Sequence, residues 1–518
     1  MKPQPKPEPT HVTRRQFVKG TAIAALSPLV AGCRTTGSSP SEVSSTGGGK
    51  QMNSDLLYRS AVDMVHLLEK RMISSEELVR MHLNRIEEVN GKINALVTKN
   101  ERAIERAVQL DKMRQNGSTM GPLHGLPMTI KDCWDTAGVV STWGTIGRRN
   151  FIPNKDATVV KRLKDAGAIL LGKTNTPEFT LSFETWNAIH GSTKNPYELN
   201  HSPGGSSGGA ASLIASGGIP FDIGTDFGGS IRVPSHCCGI TGIKPTSGSV
   251  PRTGLCLPPG GIRDFQSHAG PLARYVEDLE LILPIIWGPD RTDTWIADVP
   301  QRDSSKVDFR GMKCLLMEEY GPPPTEETKA AVRVAANQMA ELGVEIIEGK
   351  LPYGNSVWEI SQSLWTDGGF AFAVANRIKA AGTDLKDCSL KFLLNYINEI
   401  PSDIPAEKLN LTLDKFQKFR SDMFQEFAKY DLMISPVNVG PAPITPNPGD
   451  GLFPLEHAAY TLLSDLTGWP AGVVRGGTSP DGLPIGVQIT ANSWREDIVL
   501  ASMAHLEDKL VGYTPPKI

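Results

Sequence analysis

A run of glycine and serine at residues 202–211, SPGGSSGGAA, places the strongest constraint on how this chain can fold. Four glycines surround Ser206 and Ser207, and the run continues directly into the apolar segment ASLIA. Glycine loses more conformational freedom on folding than any other residue, so a glycine cluster inside a globular chain requires a reason. The run therefore predicts an unusually permissive backbone beside two adjacent hydroxyls, directly before a helix.

Segments typical of strands and helices alternate along most of the chain. ATVVKRLKDAGAILLGK predicts a helix, a glycine stop at Gly167 and a buried strand at 168–171. AASLIASGGIPFDIGTD repeats that order, and GLPMTIKD predicts a short strand that carries Lys131. The alternation predicts an α/β fold. We expect residues 54–518 to form one domain, with a mostly helical insertion at about 285–430.

The first 33 residues differ in character from the rest of the chain. Arg14 and Arg15 precede an apolar run of about a dozen residues, whereas about 20 are needed to cross a bilayer. The pattern predicts an export signal in which the paired arginines resemble a twin-arginine motif and VAGC resembles a lipobox ending at Cys33. We expect lipidation of Cys33, a flexible linker at 34–53, and a location in the bacterial periplasm. An uncleaved anchor is the alternative.

Net charge and cysteine spacing limit which partners and metal sites we expect for this chain. The chain has 518 residues and a net charge of −3, and loss of residues 1–32 removes five basic residues and one acidic residue. No basic stripe follows the N-terminus, so we expect no nucleic-acid partner and contact with a membrane through the lipid anchor only. The seven cysteines form no C-x-x-C pair, which predicts no metal site. Cys237 and Cys238 are interpreted as buried small hydrophobic residues.

Two short motifs point to other chemistries. GAILLGKT at 167–174 matches the phosphate-loop pattern, but Ala-Ile-Leu-Leu is typical of a buried strand rather than of a loop that wraps a phosphate. GSSGG matches the nucleophile elbow of an α/β-hydrolase, with Ser207 as nucleophile. The α/β-hydrolase interpretation needs a histidine downstream of Ser207, and neither His457 nor His505 lies in a recognisable loop motif.

A third interpretation joins distant segments. Ser230 follows two glycines in GTDFGGSIRVP, where consecutive backbone N–H groups can converge on one point and form an oxyanion hole. A serine nucleophile needs a base, and a lysine can serve when burial lowers its pKa enough to make it neutral. Lys131 lies in an apolar strand and fits that role.

Five stretches of the chain, taken in order, resemble the amidase signature family. They are GPLHGLPMTIKD, TVVKRLKDAGAILLGKTNTPEF, NPYELNHSPGGSSGGAAS, GTDFGGSIRVPSHCCGITGIKPTSGSVP and GPLARYVEDLELIL. The resemblance implies a central twisted mixed β-sheet covered by helices on both faces. It also implies a Ser–cis-Ser–Lys triad in which Ser230 is the nucleophile, Ser206 the bridging serine and Lys131 the base.

The same resemblance assigns supporting roles. It implies that the N–H groups of the nucleophile turn hold the oxyanion, namely those of Phe227, Gly228, Gly229 and Ser230. It further implies that Ser207 supports the triad through hydrogen bonds and that Asp226 and Arg232 brace the loop.

The expected activity is hydrolysis of a small-molecule carboxylic amide to an acid and ammonia or an amine, through an acyl-enzyme and without a cofactor. A homodimer is compatible with the sequence. Two alternatives stay open at this point: a tRNA-dependent amidotransferase A subunit, and a catalytically idle binding lipoprotein on the same fold.

Overall fold

The computed structural model describes residues 55–261, 263–399, 403–447 and 454–518. The predicted signal sequence, Cys33 and the whole of the predicted linker lie outside these residues. None of the described helices is both long and apolar enough to cross a lipid bilayer.

Helices and strands alternate as the sequence predicted. The helices are α1 Ala61–Glu69, α2 Ser75–Ile93, α3 Ala103–Gln115, α4 Thr158–Asp165, α5 Gly208–Ala215, α6 Arg232–Cys238, α7 Val276–Ile286, α8 Glu326–Glu341, α9 Ser356–Thr366, α10 Phe370–Ala380, α11 Lys391–Glu399, α12 Ala406–Phe427, α13 Ala459–Thr467 and α14 Glu496–Lys509. The strands are β1 Leu96–Lys99, β2 Pro127–Lys131, β3 Ile169–Thr174, β4 Trp186–Asn187, β5 Gly191–Ser192, β6 Phe221–Asp226, β7 Thr241–Lys244, β8 His268–Ala273, β9 Lys313–Leu316, β10 Glu345–Glu348, β11 Leu432–Pro436, β12 Ala471–Thr478 and β13 Pro484–Ala491.

An eight-stranded mixed sheet forms the centre of the fold, with strand order β10-β9-β11-β13-β12-β7-β8-β6. The neighbours β10, β9 and β11 are parallel, and the remaining pairs are antiparallel. Helices α6, α7, α8 and α14 pack against its strands. The predicted α/β class, a mixed sheet flanked by helices, is confirmed.

A second, three-stranded sheet has the order β1-β3-β2 and lies against the edge strand β6. Asp222 of β6 joins the two sheets, because its carboxylate accepts hydrogen bonds from Thr129 of β2 at 2.6 Å and from Thr174 of β3 at 3.0 Å. Trp134, just after β2, donates to the carbonyl of Ile223 at 3.2 Å. The end of β2 is thereby fixed beside the end of β6.

Local signals account for the boundaries of several elements. A capping box begins α2, since the Ser74 hydroxyl accepts from the Glu77 N–H and the Glu77 carboxylate accepts from the Ser74 N–H. Gly167 has a φ of +97° and ends the turn between α4 and β3, as predicted. The segment 285–430 contains β9 and β10 as well as helices.

Helices α9, α12 and α13 pack on the main sheet through a hydrophobic cluster of their own. Leu364, Phe419 and Leu466 are fully buried in this cluster with Met433 of β11. Residues of α9 and α13 reach the same cavity as Ser230. These helices therefore help to enclose the region that carries the predicted catalytic residues.

Candidate active site

Lys131 is the last residue of β2, and its side chain is fully buried. Its Nζ donates to three hydroxyls: Ser206 Oγ at 2.6 Å, Ser207 Oγ at 2.9 Å and Thr225 Oγ1 at 2.8 Å. Burial lowers the pKa of Lys131 to about 8, because a charged ammonium is poorly solvated in the protein interior. A substantial fraction of this lysine is therefore a neutral amine near physiological pH.

Ser206 and Ser207 lie in the loop before α5, and the peptide bond between Gly205 and Ser206 is cis. Close backbone contacts require glycine both in this loop and in the first turn of α5. A Cβ at Gly205 would lie 2.7 Å from the carbonyl carbon of Phe183, and one at Gly209 would lie 2.4 Å from the Asn175 nitrogen. The glycine cluster lets the loop reach the buried end of β2.

Ser230 follows β6 in a turn that begins α6, and Gly229 before it has a φ of +132°. The carbonyl of Ser230 accepts a hydrogen bond from the Ser207 N–H at 3.2 Å, which ties the two serine loops together. Ser230 is 5% exposed and lines a cavity. The structure thus brings the three residues of the predicted triad to one place.

Asp226 organises the turn that carries Ser230. Its carboxylate accepts from the N–H groups of Gly229 at 2.6 Å and Ile231 at 3.0 Å, and it forms two hydrogen bonds with Arg232 at 2.9 and 3.0 Å. Because the Gly229 N–H donates to Asp226, the predicted set of four oxyanion donors is corrected to Phe227, Gly228 and Ser230. The role of these three as oxyanion donors stays a prediction.

Arg232 has further hydrogen-bond partners that the sequence did not predict. Arg232 also donates to Asp465 at 2.7 Å, Ser464 at 2.5 Å and Gln488 at 2.8 Å, and all four side chains are buried. Burial opposes ionisation of Asp226, yet the Arg232 charge holds the pKa of Asp226 well below its usual range. Burial and the Asp226 charge together raise the pKa of Asp465 far above its usual range.

A cavity of about 560 Å³ opens beside Ser230. Its walls come from the loops after β3 and β6, from helices α9 and α11, and from α13 with the residues before it. Seven aromatic side chains line it: Phe183, Trp186, Phe227, Trp358, Trp365, Phe392 and Tyr396. Sequence reasoning could not place these residues together, because they are distant in the chain and follow no local motif.

The phosphate-loop match and the nucleophile-elbow match both make hydrogen bonds inside the protein. Lys173 of the phosphate-loop match is fully buried in β3, where its Nζ donates to the carbonyl of Trp134 and to Thr136 Oγ1, so it cannot reach a phosphate. Ser207 of the elbow match accepts its hydrogen bond from Lys131. His505 Nε2 lies 3.3 Å from the Gln338 carbonyl.

Metal and thiol chemistry have no evident site within the described part of the chain. No group of three or more His, Cys, Asp or Glu side chains there is placed to hold a metal ion. Cys237 and Cys238 are buried free thiols, as predicted. Of the predicted triad, Ser230 lines the cavity, whereas Lys131 and Ser206 are fully buried behind it.

An α/β fold whose three-stranded sheet holds a buried lysine against two adjacent serines defines an enzyme with a serine–lysine site. The chain belongs to the amidase family, whose profile matches residues 77–500. The A subunit of a glutamyl-tRNA(Gln) amidotransferase from Moorella thermoacetica is 33% identical over 86% of this chain and 95% of its own length. An acylamidase from Rhodococcus erythropolis is 32% identical over 88% of this chain and 96% of its own length.

Among solved structures, a bacterial aryl acylamidase of the amidase signature family superposes with a TM-score of 0.78 and 27% identity. The alignment covers 87% of this chain and 96% of that chain. This protein is accordingly an amidase-type enzyme.

Proposed function

We propose that this enzyme hydrolyses a carboxylic amide by a Ser–cis-Ser–Lys triad through an acyl-enzyme. The observation that carries the proposal is the 2.6 Å hydrogen bond between Lys131 Nζ and Ser206 Oγ at a lysine whose pKa is lowered to about 8. A neutral amine in that position can remove a proton from the serine hydroxyl.

In the first half of the reaction, neutral Lys131 takes the Ser206 proton while Ser206 takes the proton of Ser230. The Ser230 oxygen attacks the amide carbonyl carbon and forms a tetrahedral intermediate. The N–H groups of Phe227, Gly228 and Ser230 receive the negative charge that develops on the carbonyl oxygen. Asp226 supports this step because it holds the turn at both Gly229 and Ile231.

Collapse of the intermediate breaks the C–N bond and requires a proton on the departing nitrogen, since an amide anion is a poor leaving group. The Lys131 ammonium returns that proton through Ser206. Water then attacks the ester carbon of the Ser230 acyl-enzyme while Ser206 and Lys131 again accept the proton. The bond between that carbon and Ser230 Oγ breaks, the proton returns through Ser206 to Ser230 Oγ, and the acid is released. No cofactor takes part in this sequence.

The aromatic lining of the cavity supports a substrate with a large apolar or aromatic group. A cavity of about 560 Å³ can enclose such a group beside Ser230. The similarity to an aryl acylamidase points in the same direction. An aryl or arylalkyl amide is therefore the substrate class that we put first.

A tRNA-dependent amidotransferase A subunit is the second candidate, because the relative from Moorella thermoacetica is as similar to this chain as the acylamidase is. The predicted export signal and the acidic net charge favour the hydrolase. We also propose that Cys33 is lipidated and anchors the enzyme on the periplasmic side of a membrane. Labelling with a fatty-acid probe, with Cys33→Ser as control, tests this location.

The reaction is tested with the full chain, purified in detergent, and a panel of anilides in water. Equal amounts of acid and aniline, absent with the Ser230→Ala variant, would support hydrolysis. Turnover that requires partner proteins and an aminoacyl-tRNA would support the amidotransferase. A folded protein that turns over neither kind of substrate would support the catalytically idle binding lipoprotein.

A further inference from the structure

Arg263 is a buried cation on the wall of the cavity that contains Ser230. It lies between β7 and β8, and only 1% of its surface is exposed. Glu184 and Lys391 are the other charged residues that line the cavity within the described chain. The described part of the lining therefore contains one acidic and two basic side chains.

The polar contacts of Arg263 are made with neutral acceptors. Its Nε donates to Gln266 Oε1 at 2.5 Å, its Nη1 to the carbonyl of Ser361 at 3.2 Å and its Nη2 to Ser361 Oγ at 3.1 Å. A guanidinium has five N–H groups, so these bonds use one on each nitrogen and leave a further N–H on both Nη1 and Nη2. Either of these N–H groups can donate to an oxygen of a carboxylate.

Two other buried arginines show how this chain compensates a guanidinium charge. Arg232 pairs with two aspartates, and so does Arg252. Arg263 forms no ion pair with an acidic residue of the described chain. Buried charges are normally paired, since an unpaired ion in the interior is costly. Arg263 is therefore a cation that no carboxylate of the described chain contacts: the charge of Asp465 acts on it only from a distance, and Asp465 pairs with Arg232.

Three aromatic rings surround the guanidinium. Its central carbon lies 4.8 Å from the ring centre of Phe227, 5.1 Å from that of Trp365 and 5.4 Å from that of Phe370. Ring faces attract a cation but offer no carboxylate or carbonyl acceptor for its N–H groups. Burial lowers the pKa of Arg263 to about 9, which accords with incomplete compensation of its charge. The rings therefore pack around the guanidinium at the cavity wall.

A purely structural arginine has a different set of contacts in this protein. Arg274 is also buried and without an ion pair among the described residues, but its guanidinium donates to three backbone carbonyls and does not line the cavity. Arg263 differs in both respects, because it uses one backbone carbonyl and lies at the cavity.

We propose that Arg263 binds a carboxylate of the substrate and selects amides that carry both an aromatic group and a carboxylate away from the bond that is cleaved. This inference rests on the proposed amide hydrolysis. The aromatic walls would receive the ring, and a remaining N–H group of Arg263 would donate to the carboxylate. Arg263 is then a specificity-determining residue of the same site.

The test uses two pairs of anilides in which a carboxylate is replaced by an isopropyl group of similar shape. One pair is 5-anilino-5-oxopentanoate and 5-methylhexananilide, with the difference on the acyl side. The other is 4-acetamidobenzoate and 4-isopropylacetanilide, with the difference on the amine side. The full chain, Arg263→Met and Arg263→Lys are compared by kcat/KM for each member, and circular dichroism establishes that each variant is folded.

We expect wild type to prefer the carboxylate member of one pair. Arg263→Met should lower kcat/KM for that member about ten- to hundredfold, mainly through KM, as the loss of a charged hydrogen bond predicts. It should leave the neutral member within about threefold, and Arg263→Lys should fall between. A wild-type preference for both neutral members, or an equal loss on both members of a pair, would overturn the proposal.

If wild type cleaves none of the four amides, the proposal that it hydrolyses anilides is wrong. Binding measurements alone then test whether Arg263 binds a carboxylate. Calorimetric titration of wild type and Arg263→Met with 5-anilino-5-oxopentanoate gives that answer. Weaker binding to Arg263→Met, with 5-methylhexananilide unaffected, would support the carboxylate site. Equal binding to both proteins, or no binding to wild type, would contradict it. If Arg263→Met does not fold, the same comparison is made between wild type and Arg263→Lys.

Discussion

Asp226 binds Arg232 through both carboxylate oxygens, at 2.9 and 3.0 Å, while the same oxygens accept the N–H groups of Gly229 and Ile231. One carboxylate therefore links the buried charge network to the turn that presents Ser230. Because Asp226 both holds this turn and neutralises the buried Arg232, the geometry of the turn and the stability of the fold depend on Asp226.

We expect Asp226→Asn to destabilise the protein by about 3–5 kcal/mol, because it leaves the Arg232 charge without its main partner in the interior. Asp308→Asn is the matched control, since Asp308 pairs with Arg310 on the surface, and it should leave stability unchanged. Urea denaturation followed by circular dichroism measures both. Equal stability of Asp226→Asn and wild type would contradict the bracing role.

The pH dependence of activity follows from Lys131. The base must be neutral, and burial lowers its pKa to about 8, so kcat/KM should rise with pH and level off above about pH 8. The ammonium form below that pH cannot accept a proton, which fixes the sign. A pH–rate profile on one anilide measures the midpoint, and activity that falls as the pH rises from about 6 to about 8 would exclude Lys131 as the base.

Thr225→Val should move that midpoint to lower pH. The Thr225 hydroxyl accepts a hydrogen bond from Lys131 at 2.8 Å and so favours the charged form; its removal should lower the lysine pKa by about half a unit to one unit. Thr241→Val is the control, because Thr241 is a buried strand residue that donates instead to the Ala273 carbonyl. An unchanged midpoint in Thr225→Val would show that this hydroxyl does not set the pKa.

The two adjacent serines should differ in their effect on turnover. Ser206→Ala removes the proposed proton relay and should reduce kcat nearly as far as Ser230→Ala does. Ser207→Ala should keep a measurable fraction, because Lys131 retains its bonds to Ser206 and Thr225. Steady-state kinetics of the three variants on one anilide test this order. A Ser207→Ala variant as inactive as Ser230→Ala, beside an active Ser206→Ala, would reverse the roles.

Two helical glycines should respond to alanine in opposite directions. A Cβ at Gly209 of α5 would lie 2.4 Å from the Asn175 nitrogen and 2.6 Å from its oxygen, so Gly209→Ala should be strongly destabilising. Gly91 of α2 has open space around that position, and Gly91→Ala should stabilise the protein by about 0.5–1 kcal/mol. Thermal unfolding of the pair checks the prediction, and a stabilised Gly209→Ala would contradict the close approach of the loop.

Much of the fold could be predicted from local patterns. Strand β2 ending at Lys131, the glycine stop at Gly167 and the capping box at Ser74 each depend on a few neighbouring residues. The residues proposed for the triad could be predicted from the resemblance, and the structure brings them together. Their catalytic roles stay predictions.

The sequence could not predict contacts between distant segments. Thr225 beside Lys131 and Asp465 beside Arg232 depend on how β6 and α13 pack, and no spacing indicates either contact. Arg263 lies in no motif, and its position on the cavity wall depends on α9. The Gly229 N–H was expected to face the oxyanion, whereas the neighbouring Asp226 accepts it.

The most direct test of the central claim is to label the full chain, purified in detergent, with a fluorophosphonate probe and to map the modified peptide by mass spectrometry. We expect one adduct on Ser230 that is absent from Ser230→Ala and strongly reduced in Lys131→Ala. An adduct on Ser207 that persists in Ser230→Ala would contradict the assignment of Ser230 as nucleophile and support the nucleophile elbow.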